Sequence, residues 1–177
     1  MRYEQFRVLI VDLESGKSSP TRIDGRDQVA GGSGLAALLF TIYGKPELDW
    51  DHPMQPFILA IGPLTGYFPL MSKSVCSFMS PYHNQYTESH GGGRSALALF
   101  FAGYDALVIT GKAKTLSCLS IGSHHVIMKD AGFMKGMNAA SAGKLIRRMF
   151  SKSSGHRSIL RIGPSGEIGS AMACINV

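Results

Sequence analysis

Gly91-Gly92-Gly93-Arg94-Ser95-Ala96 is the stretch of this 177-residue chain whose residue types and spacing are best suited to chemistry. Three consecutive glycines have no Cβ, so a ligand can approach their backbone N–H groups closely. The small apolar residues that follow, to about Phe101, read as a helix whose start points at whatever the glycines touch. Such a start seats an anion or a phosphate. A cation in the first helical turn opposes the macrodipole unless an anion is bound there, and Arg94 stands in that turn. The rival explanation of the glycines is close packing of a helix on a sheet.

Other constellations fail on spacing. Gly16-Lys17-Ser18 resembles the end of a phosphate-binding loop, but Val11 stands where that motif needs its first glycine, and no helix follows. His124 and His125 are adjacent with divergent side chains, so we read no metal site there. Ser165 and Glu167 have no histidine pattern nearby that would make a nucleophile. Asp105 reads as a short carboxylate bonding backbone N–H groups at a tight turn. Cys76, on a predicted strand, reads as buried and inert.

The elements that must position these residues follow from periodicity and turn chemistry. Residues 6–13 and 18–23 read as strands joined by a turn at Gly16. Gly31-Gly32-Ser33-Gly34 opens a helix over 35–43, and proline-rich 44–56 reads as a loop. Strands are predicted over 57–61, 72–79, 106–110, 116–121, 126–129 and 158–162. Residues 139–150 read as an amphipathic helix, with Leu145, Ile146, Met149 and Phe150 inward and Lys144, Arg147 and Arg148 outward. Residues 31–40 resemble residues 92–100, and Ile61-Gly62-Pro63 recurs as Ile162-Gly163-Pro164. Hairpins with interspersed helices and an internal repeat predict an α+β fold of two related lobes of mixed or antiparallel sheet.

Composition sets the class. A hydrophobic content of 45% with 17% charged residues excludes a disordered chain. No apolar run reaches the ~18 residues of a membrane helix, and Arg7 and Asp12 break the first apolar segment, against a leader peptide. Three scattered cysteines argue for a reducing cytoplasm and supply no zinc or iron–sulfur spacing. The net charge of +6 is uneven: residues 106–177 carry 10 Lys/Arg against 2 Asp/Glu, and 131–166 carry seven bases and no acid. This is either a solvated face or a surface for an acidic domain, an acidic electron carrier or phosphates. Nucleic acid is disfavoured because the aromatics do not interleave with the bases.

Several ordered landmarks resemble the N-terminal domain of the aldehyde ferredoxin oxidoreductase family, the tungsten or molybdenum bis-pterin enzymes. They are Val11-Asp12-Leu13-Glu14-Ser15-Gly16, Gly31-Gly32-Ser33-Gly34-Leu35, Gly62-Pro63-Leu64-Thr65-Gly66, residues 101–113, and Ile162-Gly163-Pro164-Ser165-Gly166-Glu167. The resemblance implies one domain over residues 1–177 that helps to seat the metal bound by two pterin dithiolenes. It places His90, Gly91, Gly92, Gly93 and Arg94 in the pterin-contacting segment. Lys73 stands where many members have a cofactor-reaching arginine, which turns a planar fork into a point charge. For His90 the rival is a surface loop histidine, and for Lys73 an exposed strand residue.

In the family, aldehydes are oxidised to carboxylic acids and electrons pass through a [4Fe–4S] cluster to ferredoxin. The resemblance places the cluster's cysteines, the metal-proximal acid and histidine, and a second Gly/Arg-rich run beyond residue 177. The expectation is therefore a truncated product or one part of a split enzyme, inactive alone and completed by C-terminal domains or a partner subunit. The alternatives are a non-catalytic pterin- or phosphate-binding or interaction module, and an α+β domain whose glycines only serve packing.

Overall fold

The computed structural model describes residues 4–150 and 157–177; the start of the stretch read against a leader and Lys152 of the basic run lie outside them. The chain divides into two compact units, residues 1–112 and 113–177.

The first unit is built on a six-stranded mixed sheet of order β2-β1-β6-β3-β4-β5. Its strands are β1 (Phe6–Asp12), β2 (Lys17–Ile23), β3 (Phe57–Ile61), β4 (Ser74–Met79), β5 (Tyr86–Gly91) and β6 (Ala106–Thr110). β1 and β6 are parallel; every other neighbouring pair is antiparallel. The β1–β2 turn is shaped by Asp12, which accepts from the Glu14 N–H and the Ser15 hydroxyl. Gly16 takes the left-handed φ of 68° there. Pro20 is tolerated in β2 because β2 is an edge strand.

Helices cover both faces. α1 (Ser33–Tyr43) packs through Leu35, Ala36 and Leu39 against Phe6, Val8, Ile58, Ala60, Val75, Ala106 and Val108. Successive strand residues face opposite sides, so Leu9, Leu59, Leu107 and Ser74 look the other way. α2 (Ser95–Ala102) lies on that second face, where Ser95 meets Ser74. Gly103 ends α2 at φ 91°, and the Tyr104 N–H bonds the Leu99 carbonyl.

The second unit repeats the start of the first. β7 (Ser117–Ile121) and β8 (Val126–Asp130) form an antiparallel hairpin. Its loop has four residues, as does the β1–β2 loop. α3 (Ala139–Met149) has 11 residues, as does α1. The repeated Ile-Gly-Pro aligns Ala60 with Arg161, and the pairing follows: Ala60 faces Val75 and Arg161 faces Asn176, each 15 positions on. Gly62 sits by the start of α1 and Gly163 by the start of α3. A short turn of helix, α4 (Pro164–Glu167), completes the described elements.

Three expectations need correction. Residues 158–162 form no strand: only Arg161 bridges, because one residue pair of ladder is all it finds. Residues 72–79 enter the sheet only at Ser74, leaving Lys73 before the strand. β5 was not predicted at all. The repeat also maps unevenly, since both glycine-led helices of residues 31–40 and 92–100 belong to the first unit.

Candidate functional site

Sheet register gathers the glycines at one end of the first unit. Ile61, Ser74 and Gly91 form one row across β3, β4 and β5. β3 ends there, β4 begins there and β5 ends there. Gly62, Lys73 and Gly92 therefore leave the sheet side by side. The Gly32 N–H donates to the Ile61 carbonyl at 2.9 Å, bringing the start of α1 to the same place. The Ser74 hydroxyl, 2.8 Å from the Ser95 hydroxyl and 3.2 Å from the Gly91 carbonyl, brings the start of α2.

Both helix starts lack a side-chain cap and an acidic residue in the first turn. The N-terminal N–H groups of each helix thus have no carboxylate from the first turn to offset the dipole. α3 is built differently: Asn138 caps it by accepting from the Ser141 N–H at 2.9 Å. Arg94 is the residue flanking α2, at φ −105° and ψ 0°, rather than a member of the first turn as expected.

The three glycines do not share one explanation. A Cβ on Gly91 would meet the Ser74 hydroxyl at 3.1 Å, and Gly93 holds a φ of 83°. Gly93 is thus required by its turn, and Gly91 is packed tightly against Ser74. Gly92 is exposed, its φ lies outside the left-handed range, and a Cβ there would meet nothing within 4 Å. Gly62 beside it likewise faces open space. In the turn that follows Gly62, Thr65 is buried with its hydroxyl unpartnered in the structure.

His90 is not in a loop. It lies on β5 opposite Val75, on the α1 face of the sheet. Its Nε2 donates to Glu88 Oε2 at 3.3 Å, and the Ser33 hydroxyl donates to the same oxygen at 2.7 Å. Tyr86 donates to the other carboxylate oxygen. Burial works against the Glu88 charge, but the hydrogen bonds from Tyr86, Ser33 and His90 outweigh it and hold the carboxyl below its usual range. Burial, then the bond to Glu88, pushes the Tyr86 hydroxyl up. Glu88, Ser33 and Tyr86 were missed by the sequence; Glu88 and Ser33 stand 55 residues apart, and only the fold joins them.

The structure thus groups Lys73 with Gly92, Gly93 and Arg94 at the sheet end, and ties His90 to Glu88 on one face. Asp105 does bond a backbone N–H, but that of Arg7 on the neighbouring strand, and it pairs with Arg26 at 2.9 Å. Burial raises the Cys76 thiol above its ordinary value. Two shallow hollows of about 410 and 400 Å³ lie elsewhere, lined by Arg7, Pro20, Thr21 and Arg22 and by Glu4, Gln5, Arg22 and Asp24. Their walls come from β1, β2 and the residues flanking them, away from the glycine rim. No helix among the described residues is long and apolar enough to cross a membrane.

A mixed sheet with glycine-led helices on opposite faces, both starting at one end, defines an α+β domain with exposed glycine backbone along that rim. The chain belongs to the aldehyde ferredoxin oxidoreductase family: residues 8–177 match the family described as "Aldehyde ferredoxin oxidoreductase, N-terminal domain". It is 33% identical over 138 residues to a tungsten-containing aldehyde ferredoxin oxidoreductase of Pyrococcus furiosus, covering 77% of this chain and 22% of that one. It is 33% identical over 145 residues to the aliphatic sulfonate oxidoreductase WOR-like subunit of the same organism, covering 79% and 23%. Among solved structures, the active-site complex BamBC of benzoyl coenzyme A reductase, in complex with 1,5-dienoyl-CoA, superimposes with a TM-score of 0.89 at 28% identity. That match covers 97% of this chain and 27% of the other. The chain therefore spans about a quarter or less of the length of these relatives.

Proposed function

We propose that this domain seats the pterin of a tungsten or molybdenum bis-pterin cofactor, as the N-terminal part of an oxidoreductase resembling aldehyde ferredoxin oxidoreductase. The observation that carries the reading is Gly92. Neither its φ nor its neighbours require a glycine, so the missing side chain leaves room for something other than protein. A flat anionic group laid across this rim fits what is present: exposed glycine backbone, two uncapped helix starts and the Lys73 ammonium. Gly92 and Gly93 would donate backbone N–H bonds, Lys73 would supply a point charge, and Arg94 would face the same anion. His90, its Nε2–H engaged by Glu88, keeps Nδ1 for the ligand. The metal pterin would supply the two-electron redox chemistry, and the chain's own task is to bind and orient it.

In the whole enzyme an aldehyde would be oxidised to a carboxylic acid. Electrons would leave through a [4Fe–4S] cluster held by the remaining polypeptide to a ferredoxin-type carrier. The second reading, a module that binds pterin or phosphate or docks on a partner without catalysis, draws on the basic run of residues 131–166.

The test is to produce the chain together with the polypeptide that completes the enzyme, in a host that makes the metal pterin, and to assay metal and pterin. Tungsten or molybdenum with pterin is expected in the wild-type complex. Gly92→Val should leave the melting temperature unchanged and remove most of the pterin. A folded, associated wild-type complex holding neither metal nor pterin overturns the reading, as does a Gly92→Val variant that retains both in full.

A further inference from the structure

We infer that Ser74 is a positioning residue for the loop Gly92–Arg94: it fastens the two ends of that loop, through Gly91 and Ser95, and touches no ligand itself. What the loop is held for rests on the pterin reading; how it is held does not.

β5 is an edge strand, paired with β4 alone, and Gly91 is its last residue. α2 begins at Ser95. Gly92, Gly93 and Arg94 span the gap, and the two glycines have the most conformational freedom to lose. A Cβ on Gly92 would meet nothing within 4 Å, so no side-chain packing fixes the loop there. Its ends must hold it.

One buried hydroxyl reaches both ends. Ser74 stands opposite Gly91 in the ladder and is 2% exposed, and Ser95 is 3% exposed. The Ser74 hydroxyl donates to the Gly91 carbonyl at 3.2 Å, which uses its only proton. Across the 2.8 Å between the two hydroxyls, Ser95 is therefore the donor and Ser74 the acceptor. The relay from Ser95 through Ser74 to Gly91 closes a ring around the loop. Away from water, each of these bonds is costly to leave unmade. Gly91 makes room for the relay, since a Cβ there would lie 3.1 Å from the Ser74 oxygen.

The other face carries a counterpart. α1 also begins with a serine, and the Ser33 hydroxyl donates to Glu88 of β5 at 2.7 Å. Tyr86 and His90, on the same face of β5, bond the same carboxylate. The strand that leads into the loop is thus tied to the first residue of each helix, to α1 through Glu88 and to α2 through Ser74.

Backbone amide relaxation by NMR, on the chain as it exists, is the first arm. Gly92 and Gly93 should show order parameters of about 0.8, falling below about 0.6 in Ser74→Ala. Ser95→Ala keeps the Ser74–Gly91 bond and suits a helix, so its fall should be smaller. Ser77→Ala, at a buried site on the other face of β4, should leave the loop's order unchanged. The second arm is the pterin assay on the completed enzyme, where Ser74→Ala should lower pterin retention about tenfold, as loss of an outer partner does at metal sites. Unchanged order at Gly92 and Gly93 in Ser74→Ala overturns the inference; if that variant does not fold, unchanged order in Ser95→Ala overturns it. So does a wild-type loop that is already as mobile, an equal loss of order in Ser77→Ala, or full pterin retention by Ser74→Ala beside a loaded wild type. A wild-type complex without pterin, beside a Ser74→Ala loop that has lost its order, overturns the pterin reading alone and upholds Ser74 as the fastener.

Discussion

The two units run through the same opening elements, hairpin then helix then Ile-Gly-Pro strand, yet they differ in how completely each is filled. Among the described residues the first buries 20 apolar residues on two faces of a six-stranded sheet, and the second buries three beside a two-stranded hairpin. The difference traces to β6, which in the first unit contributes Ala106, Leu107 and Val108 to the interior. A repeated local pattern therefore specifies the elements, while the central strand decides whether they share a core. The two units also treat their helix starts differently. α3 has its own asparagine cap, whereas α1 and α2 have no side-chain cap at the glycine rim.

The largest effect that would sharpen this comparison is in the cores. Leu35→Ala, at a fully buried site, should cost about 3 kcal/mol in urea unfolding, and Leu119→Ala on β7 about 1 kcal/mol or less. Equal costs would mean that the second unit is as well packed as the first. Next come the helix starts. Asn138→Ala should destabilise by about 1 kcal/mol through loss of the α3 cap. Arg94→Asp places a carboxylate at the start of α2 and should lower pterin retention in the complete enzyme severalfold, read by pterin assay. An Arg94→Asp enzyme that retains its pterin in full would show that this helix start does not serve an external anion.

The smallest effect is acid dependence. Glu88 is held below its ordinary value of 4.5, so it binds protons less readily folded than unfolded. Its contribution is complete above that value and is lost as pH falls through the lower folded value. Glu88→Gln should therefore remove part of the acid destabilisation, read as a flatter dependence of the melting temperature below about pH 4.5. An unchanged profile would mean that the Ser33–Glu88–His90 contacts do not tie β5 to α1.

Legibility in the sequence followed the same division. Phe57–Ile61 and Ala106–Thr110 were read to the residue because central strands are apolar throughout and bounded by turns. β5 escaped because Tyr86-Thr87-Glu88-Ser89-His90-Gly91 has no apolar alternation; pairing with β4 makes it a strand. Residues 158–162 failed in the opposite sense: the residues suit a strand, but among the described residues only Arg161 finds a bridge partner. At the site, the glycines stood out as residue types, whereas Lys73 and His90 came only through the family resemblance. The split between Gly92, free of packing, and Gly91 and Gly93, bound by it, needed backbone geometry.

Asp105 has a consequence for how the molecule is made. It joins the ends of three strands, accepting from the Arg7 N–H and Arg26, while its backbone N–H bonds the Arg7 carbonyl and its carbonyl receives the Ile61 N–H. Arg7 and Asp105 are 98 residues apart, so β1 leaves the ribosome long before the strand that will lie beside it. Until then the first hairpin has one bare apolar edge, and closure of that long loop sets the pace of folding. Newborn chains halted before residue 105 should be held by chaperones, and those released after residue 112 should not.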